Sequence, residues 1–557
     1  MGDGPIQRRM SALPHAIALP STPVAAPSLH FAAEGAASAN NPANAMPPRP
    51  TSSPRRTPPS PLAVKGKHVH LIGIGGSGMS GLARMIRSRG GLVSGSDQEP
   101  SDTTRALERE GIHVTFEQSR GVLPERCDLV IASAAIRPSH PEMASASARG
   151  LPTMMYAEAL GRCMQGRTGA CVAGTHGKST TTAMLGTALV DAGLDPTVIV
   201  GATSPQLELG ALHVGAREAR GERAPATSVG FRLGNERIPK GPLAGSPGIV
   251  VAESCEYERS FHNYFPVVAC ISSVEADHLD CYGTLDAVVE SFHEFATHLP
   301  PASAGGRLLI AHDGAHRREV TAGVECEVHT IGYSPEADWR VRYEPRTRSV
   351  ELVHRQRMVA AWTMTLAGAH NAINAASALV LAHWLGADLG RASDSLSKFR
   401  GIDRRMHLLG ERPVAGGVVR VFDDYGHHPT EVDVTLRAFR EAERPQERGG
   451  RLICVFQPHQ HSRTRHLLEE FAGSFSQADV VIVPEIYFVR DSEEERQRVS
   501  SKDLVDRLRE KGVNAMHLDP FERIVRELHA MCRAGDLVVS MGAGPVWQVA
   551  RQYLDAK

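Results

Sequence analysis

Six residues, Gly174-Thr175-His176-Gly177-Lys178-Ser179, constrain this chain more than any other feature. They stand between a short apolar segment, Gly169-Ala-Cys-Val-Ala173, and a helical pattern from Ser179 to about Ala192. A strand, a glycine turn and a helix in that order make a cradle in which backbone N–H groups and a helix N-terminus converge on phosphate. The Lys178 ammonium suits β- and γ-phosphates, the Ser179 hydroxyl suits Mg2+, and Thr175, His176 and Thr180 lie on the same turn. Val172 takes the place of the first glycine of the common longer form. The reading is an ATP-binding P-loop, and units of this kind build parallel α/β sheets.

A second glycine turn, Gly73-x-Gly75-x-x-Gly78, follows the strand-like run Lys67–Ile74 and precedes a helix from Met79 to about Arg89. Asp97 lies at the end of the next strand, Leu92–Gly95, and a third strand covers Asp128–Ser133. Such a turn suits a diphosphate and the acid suits a ribose hydroxyl, so NAD or any nucleotide-linked substrate would satisfy it. Two more polar residues follow buried-strand candidates: Glu253 after Ile249–Ala252, and His278 in Glu275-Ala-Asp-His-Leu-Asp280 after Val267–Ile271. Ligands of open α/β sheets bind past strand ends, and a phosphate-bridging Mg2+ needs one or two protein ligands, which makes both candidates.

The last third carries strand candidates Val418–Phe422, Leu452–Phe456, Val480–Val483 and Leu537–Ser540. Asp423-Asp-Tyr-Gly-His-His-Pro-Thr-Glu431 follows the first, and Gln457-Pro-His-Gln-His-Ser-Arg-Thr-Arg465 follows the second. Polar clusters at consecutive strand ends are expected of a site, because unpaired charges do not bury. Zinc is the rival for these histidines, but the spacing within the clusters offers no HxxxH and no cysteine partner.

With 557 residues the chain is long enough for about three domains. Its 61 basic and 62 acidic residues leave a formal charge of -1, which gives no overall electrostatic case for nucleic acid or an anionic membrane. Nine scattered cysteines without a CxxC pair argue against a disulfide framework and suit a reducing cytoplasm, and no apolar run approaches the roughly 20 residues of a membrane span. Residues 1–64 are rich in Pro, Ala and Ser and read as a disordered extension, although a start codon set too far upstream would look the same. Residues from about 213 to 247 read as a long surface loop.

In these motifs, together with His370-Asn-Ala-Ile-Asn374, residues from about 65 onward resemble the Mur ligase family of peptidoglycan synthesis. The resemblance implies an α/β protein of three domains: a Rossmann-like UDP-binding domain (65–164), a central P-loop ATPase domain (165–403) and a Rossmann-like C-terminal domain (404–557) that closes over the site. His70, Gly75, Gly76, Ser77, Gly78, Asp97 and Ser133 would hold the UDP-sugar. Lys178 and Ser179 would serve ATP and Mg2+, with Glu253 and His278 as metal ligands and Glu256 as the lesser alternative to Glu253. Asn371 and Asn374 match adenine contacts, and Arg405 and Asp424 match residues that reach ATP. His427, His459 and Arg463 match the amino-acid pocket, where a guanidinium would pair a carboxylate.

The implied reaction joins L-alanine to UDP-N-acetylmuramate through an acyl phosphate. The nearest alternative attaches a preformed murein tripeptide to the same sugar. Two positions depart from the family pattern: Ser273 stands where Asn is common, and Gln460 where Arg is common. The second removes a cation from the expected carboxylate site, which His461 would restore only if protonated.

Overall fold

The computed structural model describes residues 57–207 and 229–555, which carry three sheets in succession. The first has five parallel strands in the order His113–Thr115, Leu92–Ser96, His68–Ile72, Leu129–Ala132, Thr153–Met155. The chain order reverses beside His68–Ile72, so the glycine turn leaves the sheet at its switch point, where such sheets bind ligands. Val69 and Leu71 pack with Leu82, Ala83 and Ile86 of the helix Ser77–Ser88 that follows the turn.

The second sheet has ten strands, and the P-loop strand Thr168–Ala173 lies inside it between Val268–Ile271 and Ile249–Glu253. These central strands are buried on both faces, which explains why they read as continuous apolar runs. Beyond Ile249–Glu253 come Thr197–Ser204 and, antiparallel to it, Val229–Arg232. The other flank passes through Arg307–Ala311 and Glu327–Gly332 to the antiparallel ribbon Trp339–Glu344, Ser349–His354, Arg357–Thr363. The P-loop helix Lys178–Asp191 packs against Ala369–Trp384 and Leu389–Ser397 through small residues such as Ala183, Ala375 and Ala378.

The third sheet runs His407–Val414, Gly417–Asp424, Leu537–Met541, Leu452–Phe456, Val480–Val483, Ala515–His517, antiparallel only at its first pair. No helix among the described residues is long and apolar enough to cross a membrane.

Two expectations need correction. The loop expected at 213–247 contains the strand Val229–Arg232, and residues 213–228 of it lie outside the described residues. Phe231 on that strand packs on the first domain where Gly81 leaves room; a Cβ on Gly81 would come within 2.7 Å of the ring. The expected disordered extension lies outside the described residues up to 56, but its end is ordered. Leu62 and Val64 are buried against the first sheet's core, and Leu62 N–H donates to Arg162 O at 3.2 Å. Their alternation lets both apolar side chains face inward while Ala63 faces solvent.

A short linker carries the chain into the third sheet. Asp403 N–H donates to Thr203 O (2.9 Å), Tyr425 N–H to Arg404 O (2.7 Å) and Met406 N–H to Asp424 Oδ2 (2.7 Å). Arg404 and Met406 both adopt left-handed φ (60° and 47°), an uncommon conformation for such side chains that the bonds on either side hold in place.

Candidate active site

Gly174 (φ 126°) and Gly177 (φ 80°) turn the chain from strand to helix, and neither site has room for a Cβ: Ser272 lies against the first and Asn374 against the second. The neighbouring segment pins the loop. Thr175 N–H donates to Ser273 O (2.9 Å), His176 N–H to Ser273 Oγ (3.0 Å), and Glu275 N–H to Thr175 Oγ1 (2.9 Å). The Ser273 hydroxyl thus serves the P-loop backbone where Asn was the family's usual residue.

Lys178 folds back so that Nζ donates to Gly174 O (2.5 Å) and Thr175 O (3.0 Å) and pairs with Glu256 Oε2 at 2.9 Å. Burial alone would lower its pKa, but Glu256 foremost lifts it above the ordinary lysine value, so the ammonium is fixed. Ser179 Oγ donates to Glu253 Oε1 (2.7 Å), whose other oxygen takes the Gly201 N–H (2.6 Å). His278, at left-handed φ of 53°, places Nε2 4.0 Å from Glu256 Oε1 and 3.8 Å from Asp277 Oδ2. Glu253 therefore belongs with Ser179, while Glu256 belongs with Lys178 and His278.

In the first domain, Gly75 N–H donates to Asp97 Oδ2 (2.7 Å), and Gly73 lies on Ser133, whose Cβ would be 3.1 Å from a Cβ there. Gly76 and Ser77 continue the turn into the helix, and Gly78 is held against the Tyr156 hydroxyl, 2.6 Å from where a Cβ would stand. The turn, Asp97 and Ser133 form one cradle. His70 is not in it: it is 1% exposed within its strand, bonded to Ser94 Oγ (2.9 Å) with Glu142 3.5 Å from its other nitrogen. A strand residue three places before Gly73 points into the sheet's packing, which the sequence pattern could not distinguish from the cradle.

Asn371 and Asn374 lie buried beside Gly177 and donate to Ala367 O (2.8 Å) and Asn371 Oδ1 (3.4 Å). Asp424 is 1% exposed, and its two oxygens take the Gly426 and Met406 N–H groups at 2.7 Å each, so it ties the linker to the third sheet. Burial pushes its pKa up to about 6 despite Arg405. Arg405 itself donates to Glu431 Oε1 (3.1 Å).

The third sheet's strand ends meet the P-loop side through charged residues. Arg463 donates from Nε (3.0 Å) and NH2 (2.8 Å) to Asp277 Oδ1, and from NH1 toward His459 Nδ1 (3.2 Å). Thr430 Oγ1 donates to Glu275 Oε2 (2.6 Å), and Glu431 takes the His427 N–H (3.0 Å). His427, His459 and Arg463 do come together, but the guanidinium expected to be free for a carboxylate is held by Asp277.

Burial first pushes the His427 and His459 pKa values down, to about 4 and about 3, so both are neutral at pH 7. Burial also lowers that of His461, which therefore adds no cation to replace the missing arginine. Gln460 combines φ 71° with ψ 133°, is 3% exposed, and its carboxamide makes no hydrogen bond among the described residues. It lines a crevice with Asp277, His278, Ser462 and Arg463.

Sequence reasoning passed over Glu275, Asp277 and Glu431, although each stands inside a quoted motif. Their signal was an acid one to four residues from a candidate histidine.

A glycine-turn cradle, a P-loop with paired carboxylates and a third domain docked beside that P-loop define a three-domain α/β nucleotide-binding protein. Residues 68–168 match the family description "Mur ligase family, catalytic domain", residues 172–382 "Mur ligase middle domain", and residues 404–544 "Mur ligase, glutamate ligase domain". The chain belongs to the Mur ligase family.

UDP-N-acetylmuramate–L-alanine ligase of Agathobacter rectalis is 37% identical over 492 residues, covering 87% of this chain and 97% of the relative. The protein of that name from Kineococcus radiotolerans is 37% identical over 509 residues, covering 90% and 99%. The crystal structure of the Thermotoga maritima UDP-N-acetylmuramate–alanine ligase shares the fold, with TM-score 0.66 at 23% identity over 88% of this chain and 98% of that one. A murein peptide ligase from Psychrobacter arcticus is alike in fold as well, with TM-score 0.62 at 24% identity over 88% and 98%.

Proposed function

We propose that this protein is an ATP-dependent ligase that joins L-alanine to the lactyl carboxylate of UDP-N-acetylmuramate, giving ADP and phosphate in the synthesis of peptidoglycan precursors. The observation that carries the reading is the meeting of three parts at one place: the P-loop with Lys178, the carboxylates Glu253 and Glu256, and the docked third domain with Arg405, His427 and Arg463. The names of the relatives supply the substrates.

The reaction is difficult because one anion must attack another. The lactyl carboxylate attacks the γ-phosphorus and displaces ADP, and the alanine amine then attacks the acyl phosphate and releases phosphate. Lys178, freed from its loop carbonyls, presents its ammonium to the β- and γ-oxygens, while the turn's N–H groups hold them.

Ser179, Glu253, Glu256 and His278 form an oxygen-rich donor set that would suit a hard cation once Lys178, now paired with Glu256 Oε2 at 2.9 Å, turns to the phosphates. A Mg2+ ion held by these residues would supply positive charge against the phosphates. His427 directs Nδ1–H to Tyr425 O (3.1 Å), which leaves Nε2 as an acceptor for the incoming ammonium. Docking of the third domain excludes water from the acyl phosphate.

ADP release measured with UDP-N-acetylmuramate against alanine, glycine, serine and the murein tripeptide tests the reading. Alanine should give the highest kcat/KM. Preference for the tripeptide would assign the recycling reaction instead, and release that needs no amine acceptor would remove ligation altogether.

A further inference from the structure

One imidazole lies between carboxylates of two domains. His176, on the P-loop, has Nε2 3.5 Å from Glu275 Oε2 of the central domain and Nδ1 3.5 Å from Glu431 Oε1 of the C-terminal domain. The His428 ring, also from the C-terminal domain, lies 4.6 Å from its own, centroid to centroid. The same contact continues in Thr430 Oγ1–H to Glu275 and in His428 Nε2 to Ala276 O (3.3 Å).

We propose that His176 is a positioning residue: as an imidazolium it draws Glu431 of the C-terminal domain onto the P-loop while Glu275 holds its other nitrogen, so that domain docking takes up a proton. A neutral imidazole carries one N–H and could donate to only one of the two carboxylates. Separation of the domains would remove Glu431 and leave the proton less firmly held.

The charged surroundings favour this sign. Lys178 on the same loop is neutralised by Glu256, and Arg405 on the linker shares Glu431. His370, on the helix beside the loop, is kept neutral with its pKa lowered to about 4, by burial first and then by Arg405. Burial also lowers the pKa of His428, and His176 adds to that effect. For His176 burial pulls down, but Glu275 and then Glu431 outweigh it and lift its pKa to about 9. The contribution to docking is therefore full below the ordinary histidine value of about 6.5 and is lost as pH rises through about 9.

The inference rests on the closing role given to the C-terminal domain in the proposed function, but it is tested without substrate. The radius of gyration of the full chain, measured by small-angle scattering from pH 6 to 10 with circular dichroism as a control for folding, should increase through a midpoint near pH 9. His176→Gln should abolish that step, and in the ligase assay it should remove the alkaline limb of kcat at the same midpoint.

If His176→Gln is not folded, Glu275→Gln takes its place: with one carboxylate left, the midpoint should fall by about one pH unit. A wild-type radius constant over this range, a His176→Gln protein with the same step, or a Glu275→Gln midpoint unmoved would each overturn the proposal. His176, Glu275 and His428 also offer ligand atoms within 4.8 Å of one another, so a step displaced by EDTA or by added Zn2+ would assign the cluster to a metal instead. Absence of alanine-dependent ADP release would sink the proposed function without changing the scattering result.

Discussion

Arg463 of the third domain places two guanidinium nitrogens, Nε and NH2, 3.0 and 2.8 Å from a single oxygen of Asp277 in the central domain. Burial would raise the Asp277 carboxyl, but Arg463 foremost holds it well below the usual carboxylate range. Breaking one side of such a buried pair leaves the other charge unpaired, at a cost of about 3–5 kcal/mol. Arg463→Lys keeps the charge and loses the fork. We expect it to lower kcat/KM for ATP, the UDP-sugar and alanine together, by about tenfold, or about 1.4 kcal/mol of docking. Steady-state kinetics with each substrate varied in turn checks this, and a change confined to alanine would return Arg463 to the amino-acid site.

Lys178→Ala should reduce turnover on the order of 10²-fold or more, since no backbone group replaces an ammonium at the β- and γ-phosphates. The structure adds a second expectation. The substitution strands Glu256, which is buried beside Lys178, so thermal stability should fall as well. Lys178→Ala with Glu256→Gln should recover the stability and none of the turnover. A double variant as unstable as the single one would show that Glu256 finds another partner.

Leu62→Ala and Val64→Ala should each destabilise the chain, by about 2 kcal/mol or more for Leu62 and somewhat less for Val64, because both side chains lie in the first sheet's core. Urea unfolding of the two variants measures it. Values within about 0.5 kcal/mol of the parent would mean that the segment before Lys65 contributes nothing to the fold.

How much was legible in the sequence follows from which forces act locally. The strand at Gly169–Ala173 and the turns after it and after Ile72 could be read directly, because glycine spacing and a run buried on both faces leave a pattern within ten residues. The ribbon Trp339–Thr363 was missed because its half-exposed strands carry charged residues such as Arg340, Arg342 and Glu351, and the strand Val229–Arg232 because it is four residues long and includes Gly230 and Arg232. The residue types of the candidate site were visible, but their partners were not. Nothing local to Arg463 says that its counter-ion is 186 positions away, and nothing local to His70 says that its side chain faces Ser94 rather than the glycine turn.

Gln460 gives the last prediction, because its backbone and side chain point the same way. At φ 71° and ψ 133° it occupies a region favoured by glycine, a strain of about 1–3 kcal/mol for any other residue, and such strain collects at functional sites. Its position is fixed by N–H donation to Tyr487 O (3.1 Å) and by Thr464 Oγ1–H donation to its own carbonyl (2.8 Å). The carboxamide, without a hydrogen bond to the described residues, opens on a crevice of about 10 Å3, the room of one water, so an amino acid entering there must spread the walls apart. With Arg463 held by Asp277 and the nearby histidines neutral, the amide is the group left to meet the carboxylate: its Nε2–H can donate there, while His427 Nε2 accepts from the ammonium. Gln460→Met, close in size and without the amide, should raise the KM for alanine about tenfold, the value of one hydrogen bond, while the KM values for ATP and the UDP-sugar stay within about twofold. Gln460→Gly should show the same rise in KM together with an equal or higher thermal midpoint, because it releases the strain. An alanine KM unchanged in both variants, with the midpoint raised only by the glycine substitution, would reduce Gln460 to a strained turn with no part in substrate recognition.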